Sequence, residues 1–220
     1  MQQFKIRASQ VFKIMTEPRT KKELLSETCK SYLQEWILEQ KGFTKEIKNK
    51  YLEKGLLVEQ DSIDLLSKYK KLFLRKNEQS FENEYITGTP DVITEKTIYE
   101  IKSSWNLFTF PFFDREPTKA YWWQCQAYME LLNIDNTELC FCLINTPEHI
   151  INNEISKLKY EFGFRNEEAE KEIRNNHDFD RLSINDKVKI FIIKKDLKAI
   201  ELIKNRVEEC REYLNSIKMV

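Results

Sequence analysis

The stretch ITGTPDVITEKTIYEIKSSW (residues 86–105) contains two runs of β-branched and aromatic residues that are separated by a polar break. This pattern predicts two strands joined by a short turn. If residues 95–96 form a two-residue turn, Asp91 lies directly opposite Glu100, with Cβ atoms about 4.5–5.5 Å apart. Strand alternation places Lys102 on the same face as Glu100. A four-residue loop gives the same register, whereas a loop of odd length would not.

Two facing carboxylates repel each other unless a cation lies between them or one of them is protonated. Oxygen ligands from adjacent strands suit a hard divalent cation, so Asp91 and Glu100 are candidate ligands of Mg²⁺ or Mn²⁺. Lys102 could orient a water molecule, help to deprotonate it, or neutralise charge on a phosphate. The alternative is an exposed hairpin in which Glu100 and Lys102 form an ordinary salt bridge. The hairpin alone leaves both interpretations open.

The spacing of GTPD (residues 88–91) and EIK (residues 100–102) resembles the signature of the PD-(D/E)XK nuclease superfamily. In the helix predicted over residues 118–133, Gln124 and Tyr128 are four residues apart and share a face. They resemble the Q-x-x-x-Y element of the RecB-like and phage recombination branches. Tyr128 alone could equally be a core residue of an amphipathic helix.

This resemblance implies in-line attack of a metal-activated water on a phosphodiester. It implies that Asp91 and Glu100 bind the metal, with the Ile101 carbonyl as a further ligand, and that Lys102 positions the nucleophile. Gln124 and Tyr128 would support Lys102 or the scissile strand.

Two upstream segments resemble parts of lambda-exonuclease-like (YqaJ-type) enzymes. In KGLLVE (residues 54–59), Gly55 and Glu59 lie four residues apart, and Glu59 resembles the acidic residue that holds a second ion. In IRASQVFKIM (residues 6–15), Ser9 is predicted to cap a helix, and Arg7 beside it would help to bind a 5′-phosphate. A surface glutamate and an ordinary N-cap serine are the respective alternatives.

A dense group of aromatic residues follows the hairpin between Trp105 and Trp123. It comprises Phe108, Phe110, Phe112, Phe113, Tyr121 and Trp122. The segment TFPFFDREP (residues 109–117) contains two prolines and does not fit a helix or strand pattern. It could therefore form a mobile lid that stacks on unpaired bases, and Trp105 is expected to contact DNA. Packing in the core is the commoner explanation of such residues.

The order of predicted elements indicates an α/β fold with a mixed central sheet flanked by helices. The chain of 220 residues fits one nuclease domain over 1–220, with a helical N-terminal part over 1–70 and an α/β core over 72–217. Helices are predicted over 9–17, 21–41, 46–70, 118–133, 148–175 and 197–217. Strands are predicted within 72–104 and over 138–146 and 188–195.

Composition narrows the environment and the partners. The net charge is zero, but residues 1–80 hold 17 Lys and Arg against 11 Asp and Glu, which fits a phosphate-binding surface on one side or ordinary solvated helix faces. The five scattered cysteines and two histidines include no CxxC pair, so reduced thiols are expected and a zinc site is not. No membrane span or signal peptide is predicted, so a cytoplasmic location in a bacterial or phage-infected cell is expected.

The function predicted from these patterns is a DNA exonuclease that uses Mg²⁺ or Mn²⁺, with two ions expected, and acts on duplex ends in recombination or end processing. A structure-specific or restriction-type endonuclease on the same core is one alternative. A non-catalytic nucleic-acid-binding subunit is another, although the intact Asp91, Glu100 and Lys102 set argues against it. A homo-oligomer and a single-strand annealing partner are further implications of the resemblance.

Overall fold

The computed structural model describes residues 3–20, 22–46, 49–163 and 166–217. Within these residues the strands are β1 (Ile6–Arg7), β2 (Phe81–Glu82), β3 (Ile86–Gly88), β4 (Val92–Ile93), β5 (Ile98–Ser103), β6 (Asn136–Cys142) and β7 (Val188–Lys194). The helices are α1 (Val11–Ile14), α2 (Glu27–Gln40), α3 (Lys50–Leu57), α4 (Glu59–Lys70), α5 (Lys119–Leu132), α6 (Glu148–Phe162), α7 (Glu167–His177) and α8 (Leu197–Ser216).

The strands form two mixed sheets, of order β1-β3-β2 and β4-β5-β6-β7. In the larger sheet, β4 and β5 form the predicted hairpin, and β5 and β6 run parallel. A parallel pair needs a long crossover connection, which α5 supplies. The antiparallel strand β7 completes the sheet. The mixed α/β architecture flanked by helices is the predicted one.

The larger sheet is covered on both faces, and successive side chains of its strands point alternately to the two sides. On one face, Leu139 and Phe141 of β6 join the main core, which includes residues of α1, α2, α5 and α8. On the other face, Cys140 and Cys142 pack with Ile63 and other apolar residues beneath α4. Along β5, Ile98 belongs to the first face and is fully buried. The next residues on that face are Glu100 and Lys102, so polar side chains replace apolar ones at the end of this strand.

The N-terminal part is not purely helical as predicted. Strand β1 pairs in parallel with β3, with Ile6 beside Ile86. Residues near the N-terminus therefore belong to the smaller sheet. A strand of two residues is too short to show the alternation by which strands are recognised in a sequence.

The single helix predicted over 46–70 is two helices, because the backbone at Val58 leaves helical geometry between α3 and α4. Ile63 and Leu66 are buried as predicted. The apolar residues of α3 that were expected to point inward are instead exposed: Tyr51, Leu52 and Leu56. Ile47, placed on the same inward face, lies outside the described residues.

The polar helix predicted over 148–175 is also divided, into α6 and α7. Gly163 follows α6 with a φ of +71° and donates its N–H to the Lys159 carbonyl, which is the geometry of a glycine that ends a helix. Within the described parts of the chain, no helix has the length and apolar character needed to cross a membrane.

Candidate active site

The hairpin has the predicted register. Val92 pairs with Tyr99, and Ile93 pairs with Ile98. Asp91 and Glu100 are the next residues in this register, on the face of the sheet that α5 covers. Both line a cavity of about 600 Å³ together with Lys102.

The proline of the GTPD motif shapes the hairpin beside Asp91. In this register Pro90 would pair with Ile101, but proline has no N–H to donate to the Ile101 carbonyl. The Ile101 N–H instead donates to Asp91 Oδ2 at 2.6 Å, and the Pro90 carbonyl accepts from Asn77 Nδ2 at 2.9 Å. The strands therefore separate at the proline, and β4 offers no backbone donor to the carbonyl of Ile101.

Glu100 is a buried carboxylate with one satisfied and one unsatisfied oxygen. Its side chain is 2% exposed, and Oε1 accepts from Lys102 Nζ at 2.5 Å and from Gln124 Nε2 at 2.7 Å. Within the described residues, Oε2 is buried and has no hydrogen-bond partner. The Glu100–Lys102 ion pair of the alternative interpretation exists, but it is not on an exposed hairpin.

The site contains an ion pair between Glu100 and Lys102 and a second carboxylate, that of Asp91. Burial, and after it the Glu100 charge, raise the pKa of Asp91 to about 7, while Lys102 and the Ile101 N–H oppose the shift. Burial alone would lower the pKa of Lys102, but the charges of Glu100 and Asp91 outweigh it and raise that pKa. Lys102 is therefore a cation in this site, and one carboxylate lacks a neutralising partner.

These residues fit a divalent cation. Two facing carboxylates, a buried oxygen without a donor, and a carbonyl without a backbone donor from β4 form an oxygen-rich set of the kind that Mg²⁺ and Mn²⁺ prefer. A buried carboxylate oxygen without a partner costs free energy that a bound cation would recover.

Glu59 lines the same cavity but is paired elsewhere. It begins α4, and its Oε2 accepts from Lys76 Nζ at 2.7 Å. Gly55, four residues earlier, also lines the cavity. In the described ranges, no three Asp, Glu, His or Cys side chains are grouped closely enough to form a ready metal site. Glu59 therefore does not join Asp91 and Glu100 in this arrangement.

Helix α5 supports both carboxylates. Gln124 Nε2 contacts Glu100 and also Tyr128 Oη, at 3.2 Å. Tyr128 Oη donates to the carbonyl of Thr89 at 3.2 Å, which fixes the segment that carries Asp91. The Gln124 side chain thus contacts one carboxylate, which also accepts from Lys102, and Tyr128 contacts the segment that carries the other. Their support of Lys102 or of a substrate strand stays a prediction.

The predicted helix cap at Ser9 is wrong. Ser9 lies inside a 3₁₀ turn over Ala8–Gln10, and the residue that precedes α1 is Gln10, which makes no side-chain cap. Arg7 forms an ion pair with Glu39. Neither residue is among those that line the cavity. Their contact with DNA stays a prediction.

The aromatic segment after β5 is partly buried and partly open. Trp105 lines the cavity but is only 9% exposed, and its ring packs edge-on against Tyr51 and His177. Phe110 is buried as the packing interpretation requires, whereas Phe108 and Phe113 are 88% and 91% exposed. The packing interpretation therefore holds for Phe110, and stacking of Phe108 and Phe113 on bases stays a prediction.

The sequence did not reveal two contributors to the site. Asn77 donates its backbone N–H to the Asp91 carbonyl at 2.8 Å, in addition to its side-chain contact with Pro90. Lys54 is buried behind the cavity and donates to the backbone after β5. Asn77 lies within the region 72–104 in which strands were predicted, but nothing in the sequence pairs it with Pro90 or Asp91, and Lys54 resembles any solvated lysine of a helix.

Several solved structures are similar to this chain. A phage-related exonuclease from Haemophilus somnus 129PT has 28% sequence identity and a TM-score of 0.80, over 96% of this chain and 93% of that chain. An alkaline exonuclease from Laribacter hongkongensis has 17% identity and a TM-score of 0.66, over 96% and 91% of the respective chains. Its complex with dAMP gives 17% identity and a TM-score of 0.68, over 96% and 88%.

Sequence comparisons alone give no such likeness: no protein-family model matches the chain, and no curated protein matches it significantly. The structural likenesses confirm the predicted resemblance to the exonuclease branch of the PD-(D/E)XK nucleases. The two Laribacter structures support the fold alone, and the Haemophilus structure has the higher identity of 28%.

Proposed function

We propose that this chain, which has the fold of the phage-related and alkaline exonucleases, is a DNA exonuclease that depends on Mg²⁺ or Mn²⁺. The observation that carries this proposal is the facing pair Asp91 and Glu100 beside Lys102, with a buried Glu100 oxygen to which no described residue donates. Two carboxylates that share Lys102, one of them buried, suit a cation-binding catalytic site.

Asp91, Glu100 and the Ile101 carbonyl would hold the cation. When bound, the divalent ion supplies Lewis-acid polarisation of water and of a phosphate oxygen. Glu59 would become a further ligand, for a second ion, only after its carboxylate leaves Lys76. Gln124 restrains Glu100, and Tyr128 restrains the segment that carries Asp91.

Lys102 would face the scissile phosphate as a cation. Its raised pKa makes it a poor base in this arrangement, so its role is to donate a hydrogen bond and to offset negative charge that develops on phosphate. Burial and the Glu100 charge raise the pKa of Asp91 to about 7 in the cation-free site, and a bound cation would favour the ionised carboxylate that its ligand role requires.

Digestion of end-labelled linear duplex tests the proposal. We expect degradation with Mg²⁺ or Mn²⁺ and none with EDTA, and Lys102→Ala should reduce the rate by at least about 100-fold while leaving the circular dichroism spectrum unchanged. Intact DNA under every condition, with wild type and Lys102→Ala indistinguishable, would refute a nuclease function.

A covalently closed circle separates the exonuclease from an endonuclease on the same core. We expect the circle to remain intact while the linear form is degraded, because the similar structures are exonucleases. Nicking of the circle would favour the endonuclease. Comparison of 5′-phosphorylated with 5′-hydroxyl ends tests the predicted role of Arg7 and Ser9.

A binding-only subunit would retain DNA in EDTA and never shorten it. A homo-oligomer and a single-strand annealing partner also stay predictions, and sedimentation of the purified protein with and without DNA tests the former. An enzyme of this kind would act in the cytoplasm of a bacterial or phage-infected cell, where its substrate lies.

A further inference from the structure

Lys54 is a buried lysine immediately behind the cavity. It lies in α3, its side chain is 1% exposed, and it is the largest charged side chain in the core. In the part of the chain that the structure describes, no carboxylate forms an ion pair with it. Burying a lysine without a counter-charge is costly, so its retention calls for compensating contacts.

Lys54 makes such contacts with the backbone that directly follows β5. Lys54 Nζ donates to the carbonyl of Ser104 at 2.8 Å and to the carbonyl of Trp105 at 3.0 Å. Both residues follow β5 directly, and Lys102 lies only two residues before Ser104. The terminal nitrogen of Lys54, which has at least two N–H donors whether charged or neutral, therefore satisfies two consecutive carbonyls at the point where the chain leaves the sheet.

Aromatic rings enclose the same ammonium group. Its nitrogen lies 5.4 Å from the ring centroid of Phe179 and 5.9 Å from that of Trp105, which are cation–π distances. Burial lowers the pKa of Lys54 to about 7. The nearby Lys54 charge also helps, after burial, to lower the pKa of His177, which packs against Trp105.

We infer that Lys54 is a positioning residue of the active site, which holds the end of β5 and the residues after it against α3 through two backbone hydrogen bonds. Both joined segments line the cavity, because Tyr51, Gly55 and neighbouring residues of α3 border it together with Ser104 and Trp105. Lys54 thus links the wall that carries Lys102 to the wall formed by the helix. This inference rests on the proposed nuclease function.

The test compares Lys54→Met with Lys50→Met. Methionine approximates the length and apolar stem of lysine but leaves both carbonyls without a donor. Lys50 is a matched control, since it lies one turn earlier on α3 with its ammonium 4.9 Å from the centroid of the same Trp105 ring, but it is partly exposed and paired with Glu154. Lys54→Gln is the second variant, because its amide can still donate.

Single-turnover cleavage at saturating DNA should slow by about 10- to 100-fold in Lys54→Met, because small displacements of catalytic groups have effects of this size. The affinity of Lys54→Met for DNA in EDTA should differ from that of wild type by less than about threefold, since Lys54 does not reach the substrate. The hydrolysis rate of Lys50→Met should match that of wild type. Lys54→Gln should recover part of the lost rate.

Hydrogen exchange gives a readout that does not depend on cleavage. The Ser104 N–H donates to the Cys142 carbonyl at 2.9 Å, and its exchange should accelerate in Lys54→Met but not in Lys50→Met. Two results would refute the inference while leaving the proposed nuclease function intact. One is that folded Lys54→Met cleaves DNA as fast as wild type, and the other is that its loss of rate is no larger than its unfolded fraction explains. If wild type cleaves nothing, the proposed function fails and the inference falls with it.

Discussion

At the scale of single residues, the site holds more negative charge than the side chains seen around it in the described residues neutralise. Lys102 is shared between Glu100 and Asp91, Gln124 contributes only an amide, and one Glu100 oxygen has no donor in the described structure. A site built in this way is less stable without a cation than an uncharged equivalent would be. The same carboxylates that would bind the cation therefore lower the stability of the cation-free protein.

Asp91→Asn should therefore stabilise the metal-free protein. The amide keeps an oxygen that can accept from the Ile101 N–H but removes the buried charge that Glu100 repels. We expect the melting temperature in EDTA at pH 8 to rise by about 2–4 °C for each ~1 kcal/mol recovered. Mg²⁺ or Mn²⁺ should stabilise wild type and not the variant, and cleavage by the variant should be lost.

The pH dependence follows from the raised pKa of Asp91. Because the folded-state pKa of about 7 exceeds the unfolded value, the cost of charging Asp91 grows as pH rises from about 4 to about 7 and is constant above. The advantage of Asp91→Asn should therefore be largest above pH 7 and small near pH 4. A variant that is less stable than wild type at pH 8 would contradict charge repulsion in the site.

The sequence could identify the site residues whose positions follow from the pairing of two adjacent strands. Asp91 and Glu100 were identified because a short turn between two strand-like runs fixes which side chains face each other. Lys54 was not, because its role requires carbonyls some fifty positions away in the chain. The Glu59–Lys76 ion pair was missed for the same reason. Local patterns do not carry such contacts.

At the scale of secondary-structure elements, β3 and α5 approach each other at Gly88. A Cβ atom on Gly88 would lie 2.7 Å from Tyr128 Cε1 and 3.0 Å from the Ala8 Cβ. Only glycine lets the tyrosine ring lie this close to the strand, and that ring carries the hydroxyl group that holds Thr89. The glycine of the GTPD motif is thus a packing requirement.

Gly88→Ala should lower stability by about 1–3 kcal/mol, as overpacked sites do. It should also slow cleavage, because Tyr128 must move away from Thr89. Gly55→Ala is the control: apart from the adjacent residues and the backbone of its own helix, no atom of the described residues lies within 4 Å of the position that its new methyl group would take. Alanine in place of a helical glycine should raise stability by about 0.5–1 kcal/mol. Thermal shifts of the same sign in both variants would contradict this packing argument.

The exposed aromatic residues after β5 give a second prediction at this scale. Phe108 and Phe113 project from a segment whose Trp105 and Thr109 line the cavity. If they stack on unpaired bases, Phe108→Ala/Phe113→Ala should weaken binding to a frayed duplex end by about 1–3 kcal/mol per stacked base. Melting temperature should not change.

Phe73→Ala is the control for this pair, because Phe73 is equally exposed, at 93%, but lies on another segment and does not line the active-site cavity. We expect it to bind the frayed end as wild type does. Equal affinities for all three proteins, measured by fluorescence anisotropy in EDTA, would leave the exposed phenylalanines without a part in binding.

Apolar periodicity identified most elements but misplaced one of them. Helix α5 and strand β7 were recovered because their patterns are long. Helix α3 was assigned to the core because Tyr51, Leu52 and Leu56 share a face, yet that side of the helix borders the cavity and is exposed. Periodicity shows that a helix has an apolar face but not whether protein or ligand covers it.

At the scale of the whole molecule, stability should respond to alkaline pH through Lys54. Its folded-state pKa of about 7 lies below the unfolded value of about 10.4, because burial disfavours the charged form. Between these values the unfolded chain binds more protons than the folded one, so this group makes folding more favourable as pH rises. Below about pH 7, Lys54 is protonated in both states and its contribution does not change.

The stability of wild type relative to Lys54→Met should therefore increase between pH 7 and pH 10, by at most about 1.4 kcal/mol per pH unit. Subtracting the variant removes the contribution of Asp91, which titrates equally in both proteins. Urea unfolding at fixed temperature, from pH 6 to pH 10, measures the difference, and Lys50→Met should run parallel to wild type. Parallel curves for wild type and Lys54→Met would mean that the ammonium carries no burial cost, and hence that water or a counter-charge reaches it behind the cavity.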